Sequence, residues 1–270
     1  MSEIILKPKA QPEVPLDADN ITPDAFAGKR IDEIKDIEIW FGNEKVPISD
    51  FFDVEGESAE NASEIKIIID GDVEKTKRIG EGMTTGEIVI KGDTNKYVGA
   101  NMTGGKITVE GNAGTWAGID MMGGELTIMG NAGDYVGSAY RGDWRGMSGG
   151  VLTVYGNVGN EIAEYMLGGK LVVKGNVAIM PGVHMNGGTL IIEGNVKART
   201  GGEMKGGIIV VKGHIDEFLA GFEFLGVEKN PEIEGEVIEG NFFKFKGDYA
   251  TKGASGIVYA ATKGNAHIAP

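Results

Sequence analysis

Residues 99–111 read GANMTGGKITVEG, residues 118–130 read GIDMMGGELTIMG, and residues 182–194 read GVHMNGGTLIIEG. One thirteen-residue pattern underlies all three. Met stands fourth, Gly seventh, Ile or Leu ninth, Ile or Val eleventh and Gly thirteenth. Seven blocks carry it, at 80–92, 99–111, 118–130, 144–156, 163–175, 182–194 and 201–213. Their methionines, Met83, Met102, Met121, Met147, Met166, Met185 and Met204, are spaced 19, 19, 26, 19, 19 and 19 residues apart. A fixed period near 20 marks a solenoid in which each repeat is one turn of chain stacked on the last.

Alternation inside each block predicts a strand. Ile88/Ile90, Ile107/Val109, Leu126/Ile128, Leu152/Val154, Leu171/Val173, Leu190/Ile192 and Ile209/Val211 sit two apart, so each pair faces one interior. The residues between them, often charged or β-branched, are expected to face out. Gly pairs such as Gly104-Gly105 and Gly187-Gly188 supply corners, and Gly-Asn at 111–112, 130–131, 156–157, 175–176 and 194–195 marks the next one. The twelfth position of successive turns reads Asp70, Lys91, Glu110, Met129, Tyr155, Lys174, Glu193, Lys212. Signs alternate wherever charge occurs, as stacked neighbours prefer. The expected class is all-β, a right-handed parallel β-helix (solenoid) with N- and C-terminal capping segments. The methionine column is expected to fill irregular core space rather than to line a soft-metal channel.

The whole chain sets bounds on chemistry. Cysteine is absent, so there is no disulfide framework, iron–sulfur ligation or thiol nucleophile. His184, His214 and His267 lie far apart without metal-ligand spacing. Lys+Arg 26 against Asp+Glu 40 leaves a net charge of −14, which repels nucleic acid. No apolar run approaches a bilayer span and the N-terminus lacks a signal-type apolar region, so a cytoplasmic protein away from membranes is expected. Glycine, 45 of 270 residues, demands many fixed tight turns.

Segment 1–63 does not fit the repeat and is expected to cap the first turn of the 64–213 stack. Thr22-Pro23-Asp24 predicts a capped short helix, and 37–41 a strand turned by Gly42-Asn43. Segment 214–270 is read as the other cap and a tail, with an aberrant rung at Phe243, Phe245 and Gly247 followed by a Gly/Ala/Lys-rich tail. Its end, Asn265 to Pro270, is expected to dock on a partner or fray.

An insertion, Ser138 to Asp143, separates Gly137 from the block that opens at Trp144. Such a loop bulges outward and carries Tyr140, Arg141, Trp144 and Arg145, residue types that anchor interfaces. Together with Met129 and Tyr155, which interrupt the charged outer row, these residues form the expected docking surface. A second row, Tyr97, Trp116, Tyr135, makes a ladder whose face the sequence leaves open. Asp120, Glu161, Glu164 and Glu203 lie near corners and are read as solvated acids, leaving no catalytic, cofactor-binding or metal-binding residue on this chain.

The repeated blocks, with Gly111, Gly114, Gly118 and Gly130, Gly133, Gly137 in the spacing Gly-x-x-Gly-x-x-x-Gly, resemble the C subunit of formylmethanofuran dehydrogenase over the full length. The same motif occurs in the C-terminal domain of the glutamate synthase large subunit. Ala163 and Lys197 depart from it in later copies, which weakens the motif but not the period. The resemblance implies a non-catalytic scaffold in a complex that reduces CO2 and forms N-formylmethanofuran, the first step of methanogenesis from CO2. It implies a tungsten or molybdenum pterin with iron–sulfur clusters on another subunit. It further implies an amidohydrolase-like subunit with its own metal centre, and polyferredoxin-type subunits. Two other readings stay open: a glutamate-synthase-like accessory domain, and a carbohydrate-active protein, which needs a groove of carboxylates and aromatics along one face.

Overall fold

The computed structural model describes residues 1–270 and is mostly β. Ten strands run parallel, neighbour on neighbour: Ser2–Pro8, Ile65–Ile69, Glu87–Ile90, Thr103–Val109, Gly123–Ile128, Val151–Val154, Lys170–Val173, Asn186–Ile192, Gly206–Val211 and Gly256–Ala261. Antiparallel strands extend both edges to thirteen: Phe52–Gly56 at one end, then Asn241–Gly247 and Glu223–Lys229 at the other. Nine inter-strand steps make the parallel part about 43 Å tall.

The register follows the 19-residue period. Ile88, Ile107, Leu126, Leu152, Leu171, Leu190, Ile209 and Val258 form one continuous column. All eight are fully buried, as are the seven block methionines. A second parallel column, Val73, Thr94, Ala113, Ala132, Val158 and Val177, closes another side of each turn and continues through Val196 and Ile215. Between the two columns runs an amide ladder. The backbone N–H of Asn131, Asn157, Asn176, Asn195 and His214 each donates at 2.8 Å to the Oδ1 of the asparagine one turn before it. Corner N–H groups that would otherwise be orphans are thereby paired.

Glycine at two block positions has distinct physical causes. At the thirteenth position the cause is steric. Gly175 N–H donates to Gly156 O at 3.2 Å, and a Cβ on Gly175 would lie 2.3 Å from that oxygen. At the seventh position φ is positive, and at Gly105, Gly150, Gly188 and Gly207 the space is taken by the methionine one turn below. A Cβ on Gly188 (φ +76°) would lie 2.8 Å from Met166 Cε, and one on Gly105 2.5 Å from Met83 Cε. Methionine and glycine in the block are therefore partners across neighbouring turns, which a single block does not reveal.

The flanks are more integrated than caps laid over the ends. Strand Ser2–Pro8 continues the stack, placing Ile4 beside Ile67 and Leu6 beside Ile69. Thr22 caps the short helix Pro23–Phe26 by accepting from Ala25 N–H at 3.1 Å. Strand Glu38–Phe41 forms a hairpin with Glu44–Pro47.

Three expectations at the C-terminus are corrected. Phe243 and Phe245 do not make a further parallel rung, because Asn241–Gly247 runs antiparallel to both neighbours. The last parallel rung is Gly256–Ala261, inside the segment read as a tail, where Val258 extends the inner column. The end of the chain is anchored to its own fold rather than frayed. Fully buried Asn265 accepts from Ile215 N–H at 2.8 Å and donates to Gly213 O and Ala261 O at 2.9 and 2.8 Å. The outward residues of the last rungs are likewise covered. Ile191 and Val210 pack with Ile233, Ile238, Phe242 and Tyr259, beneath a hairpin tied down by the Lys170–Glu236 ion pair at 2.6 Å.

Candidate functional site

Three of the four opposite-sign neighbours in the charged outer row pair, Asp70–Lys91 at 3.3 Å, Lys174–Glu193 at 2.9 Å and Glu193–Lys212 at 3.4 Å, while Lys91 and Glu110 do not. Met129 and Tyr155 interrupt it and are about half exposed. These two residues follow the main strand, before the Ala132–Val158 bridge. The insertion leaves the turn beyond that bridge. No aromatic, cation–π or hydrogen-bond contact joins it to Met129 or Tyr155. The structure thus places the six expected docking residues in two groups at different corners.

The insertion begins inside the block rather than before it. Met147 N–H donates to Gly137 O just as Met121 N–H donates to Gly118 O. Gly137 holds the left-handed corner with φ +65°, against +64° at Gly118. The first block position needs that conformation, which glycine adopts freely and a tryptophan adopts only at a cost in strain. Trp144 is therefore free of the corner and sits on the loop, 65% exposed, with Tyr140 at 52%. Fully buried Ser138 clamps the loop base: its hydroxyl donates to Glu161 O at 2.6 Å and accepts from Glu164 N–H at 3.2 Å. At the tip, Asp143 accepts from Trp144 N–H at 2.7 Å and pairs with Arg145 at 3.2 Å; Arg145 lies 5.3 Å from the Trp144 ring.

The loop lies against the aromatic row, and this settles its face. Tyr97, Trp116 and Tyr135 stack on the outside, with ring centroids 5.5 and 4.7 Å apart and interplanar angles of 14° and 9°. All three are half-buried and have positive φ, a conformation unusual for large side chains. Tyr140 reaches to 6.5 Å from Tyr97, and Arg141 lies 5.6 Å from Trp116 and 5.8 Å from Tyr135. Arg78 and Lys96 flank the row at 4.9 Å from Tyr97 and 5.9 Å from Trp116. Sequence reasoning missed both cations. Arg78 was legible, since it stands 19 residues before Tyr97 in the same row.

Cavities open on either side of the loop. One of about 310 Å³ is lined by Asn101, Asp120, Asp143, Arg145, Ser148 and Leu167. Another of about 440 Å³ is lined by Trp144, Tyr165, His184, Asn186, Glu203 and Lys205. Tyr165 and His184 stack at 4.6 Å, and His184 Nδ1 stands 3.8 Å from Glu203. Two acids at the loop base are less solvated than expected. Burial pushes the Asp120 carboxyl up to about 6; the Tyr140 N–H at 3.3 Å and Arg145 oppose the rise, and Asp143 adds to it. Burial, then the neighbouring Glu161, raise Glu164.

Because its folded-state pKa lies above the ordinary 3.8, Asp120 carries a penalty in the folded state that is complete above pH 6 and gone below about pH 4. Asp120→Asn keeps an acceptor for Tyr140 N–H. It is expected to raise stability by about 1 kcal/mol at pH 8, after allowance for solvent screening. Thermal unfolding at pH 8 and pH 4 checks this; the gain should vanish at the lower pH.

The donor set does not fit a metallopterin or an iron–sulfur cluster. There is no cysteine and no cluster of three His, Asp or Glu side chains placed to hold a metal. His214 and His267 are engaged with the backbone oxygens of Gly264 and Ile215. No helix is long and apolar enough to cross a membrane.

No family model matches the chain. It is 70% identical over 270 residues to the C subunit of the tungsten-containing formylmethanofuran dehydrogenase 2 of Methanothermobacter thermautotrophicus, covering 100% of both chains. To the C subunit of the molybdenum-containing formylmethanofuran dehydrogenase 1 of Methanosarcina barkeri it is 44% identical over 97 residues, 36% of this chain and 32% of that one. Among solved structures it is similar to a chain of the formyltransferase/hydrolase complex FhcABCD of Methylorubrum extorquens, determined with methylofuran. The TM-score is 0.83 at 24% identity, over 95% of this chain and 99% of that one, a likeness of fold.

Proposed function

The chain belongs to the family of formylmethanofuran dehydrogenase C subunits, and from that premise we propose that it is the non-catalytic scaffold of the complex. Its fold is read as a right-handed parallel β-helix, with 64–213 as the body and 1–63 and 214–270 as end segments that each lend one strand to the stack. The strict 19-residue register and the two parallel columns support that reading. The full-length match to a tungsten-type relative, against a partial one to a molybdenum-type relative, supports a place in a tungsten enzyme. A pterin with iron–sulfur clusters then belongs to another subunit, as does formyl transfer at a metal centre on an amidohydrolase-like subunit. Polyferredoxin-type subunits deliver electrons, and the assembly is cytoplasmic.

One observation carries the scaffold reading. A loop clamped at its base by Ser138 lays Tyr140 and Arg141 against the aromatic stack and leaves Tyr140 and Trp144 half or more exposed, an arrangement that costs solvation unless a partner covers it. Met129 and Tyr155 form a second, separate contact area on the outer row. Replacing Tyr140, Arg141 and Trp144 together with Ser should weaken assembly at least about thirtyfold, as loss of interface anchors does. Co-purification and native mass measurement of the complex test it, with circular dichroism to verify the fold. Undiminished assembly overturns the docking surface.

A further inference from the structure

Of the five arginines of a chain that carries 40 acidic residues against 26 basic ones, Arg141 and Arg199 form no ion pair, and of these two only Arg141 lies over aromatic rings. Arg30, Arg78 and Arg145 each pair with a carboxylate at 3.0 to 3.2 Å. Arg141 is exposed, forms no ion pair and no side-chain hydrogen bond, and rests over Trp116 and Tyr135. A guanidinium uses its face on aromatic rings and its edge for donating hydrogen bonds. Contact with two rings restrains the guanidinium here and leaves its N–H donors unused. Lys96, 5.9 Å from Trp116, is likewise exposed and without a carboxylate partner. Glu164, which feels the charge of Arg141, makes no ion pair with it, although the two belong to the same corner of the fold.

Such an edge matches a carboxylate in two-pronged geometry. Because the rings have already ordered the arginine, less freedom is lost when the partner arrives. A nucleic acid is the wrong polyanion for this patch, since a chain of net charge −14 repels a continuous phosphate backbone, whereas a short acidic stretch feels only the local cations.

We propose that the Tyr97–Trp116–Tyr135 ladder with Arg141 and Lys96 is the receptor for an acidic segment of a neighbouring polypeptide subunit. Arg141 takes one carboxylate on its free edge, Lys96 neutralises a second, and Tyr140 packs on the aliphatic stem between them. This names the chemistry of the partner and rests on the reading of the loop as a docking surface.

The test uses the whole native complex. A water-soluble carbodiimide should join Lys96 Nζ to an Asp or Glu of another subunit, located by peptide mass spectrometry, and Arg141→Ala should reduce that product at least tenfold. Arg141→Ala should also weaken assembly tenfold or more and flatten its salt dependence. Arg141→Lys, which keeps the charge but loses the fork, should recover only part of the loss. Tyr140→Ser with Trp144→Ser probes docking irrespective of the partner's charge. If that pair weakens assembly while Arg141→Ala does not, and Lys96 links only within its own chain, the docking surface stands and the acidic partner is overturned. Full recovery by Arg141→Lys overturns the two-pronged contact, and assembly unmoved by every variant overturns both readings.

Discussion

Gly175→Ala should destabilise the protein by about 3 kcal/mol or more, a melting point lower by about 6–12 °C for a chain of this size. The added methyl would sit 2.3 Å from Gly156 O and 2.5 Å from Gly156 C, both backbone atoms of the turn below. Backbone cannot swing aside as a side chain does. Gly156 O is moreover the acceptor of the Gly175 N–H, so relieving the clash breaks the hydrogen bond that stacks the turns. The same contact recurs at Gly194 over Gly175 and Gly213 over Gly194, so displacement at one rung is passed to the next. Gly202→Ala is the matched control: its nearest neighbour is a side-chain carbon, Leu219 Cδ1, at 3.5 Å, and its φ is unstrained. It should change stability by less than about 0.5 kcal/mol. Equal effects at Gly175 and Gly202, measured by thermal or denaturant unfolding, would show that the glycine column is not what sets the spacing of the turns.

Met166→Ala is expected to cost about 3 kcal/mol, within the 2–5 typical of emptying a fully buried site. The reason lies in the adjacent turn. Met166 Cε fills the space beside Gly188, and with neither a Met methyl nor a Cβ the rung retains a void. Collapse is hindered because the strands on either side are hydrogen-bonded in register. Met166→Leu conserves volume and should lose less than about 1.5 kcal/mol. A denaturant midpoint shifted equally by Ala and Leu would contradict the packing account. Both Met166 substitutions should weaken assembly only through lost fold, since Met166 does not reach the surface.

Both effects concern residues whose type is visible in the repeat, and in that sense much of the fold was legible in the residues alone. The inner pairs, the methionine column and the Gly-Asn corners are local consequences of alternation and of a repeat length that returns each turn to its start. The candidate surface was less legible. Tyr140, Arg141, Trp144 and Arg145 were found because an insertion into a fixed-length turn must protrude. Lys96 and the stacking role of Arg141 were not, because contact between a loop and rungs two turns away depends on how the loop folds back. Nothing in its sequence context distinguishes Asp120 from a solvated acid. Its carboxyl is pushed up by burial, which residue spacing along the chain does not reveal.

Periodic residue spacing by itself determined that successive turns lie one above another, with aliphatic columns inside, since a period-two strand repeated every 19 residues leaves few other ways to bury its apolar face. Tertiary structure alone decided three things. It set the aromatic row on the outside under Arg141, parted Met129 and Tyr155 from the loop, and made Gly256–Ala261 rather than the Phe243 segment the final parallel rung. Each depends on pairing between segments distant in the chain, where competing strands of similar composition are separated by long-range contacts rather than by local preference.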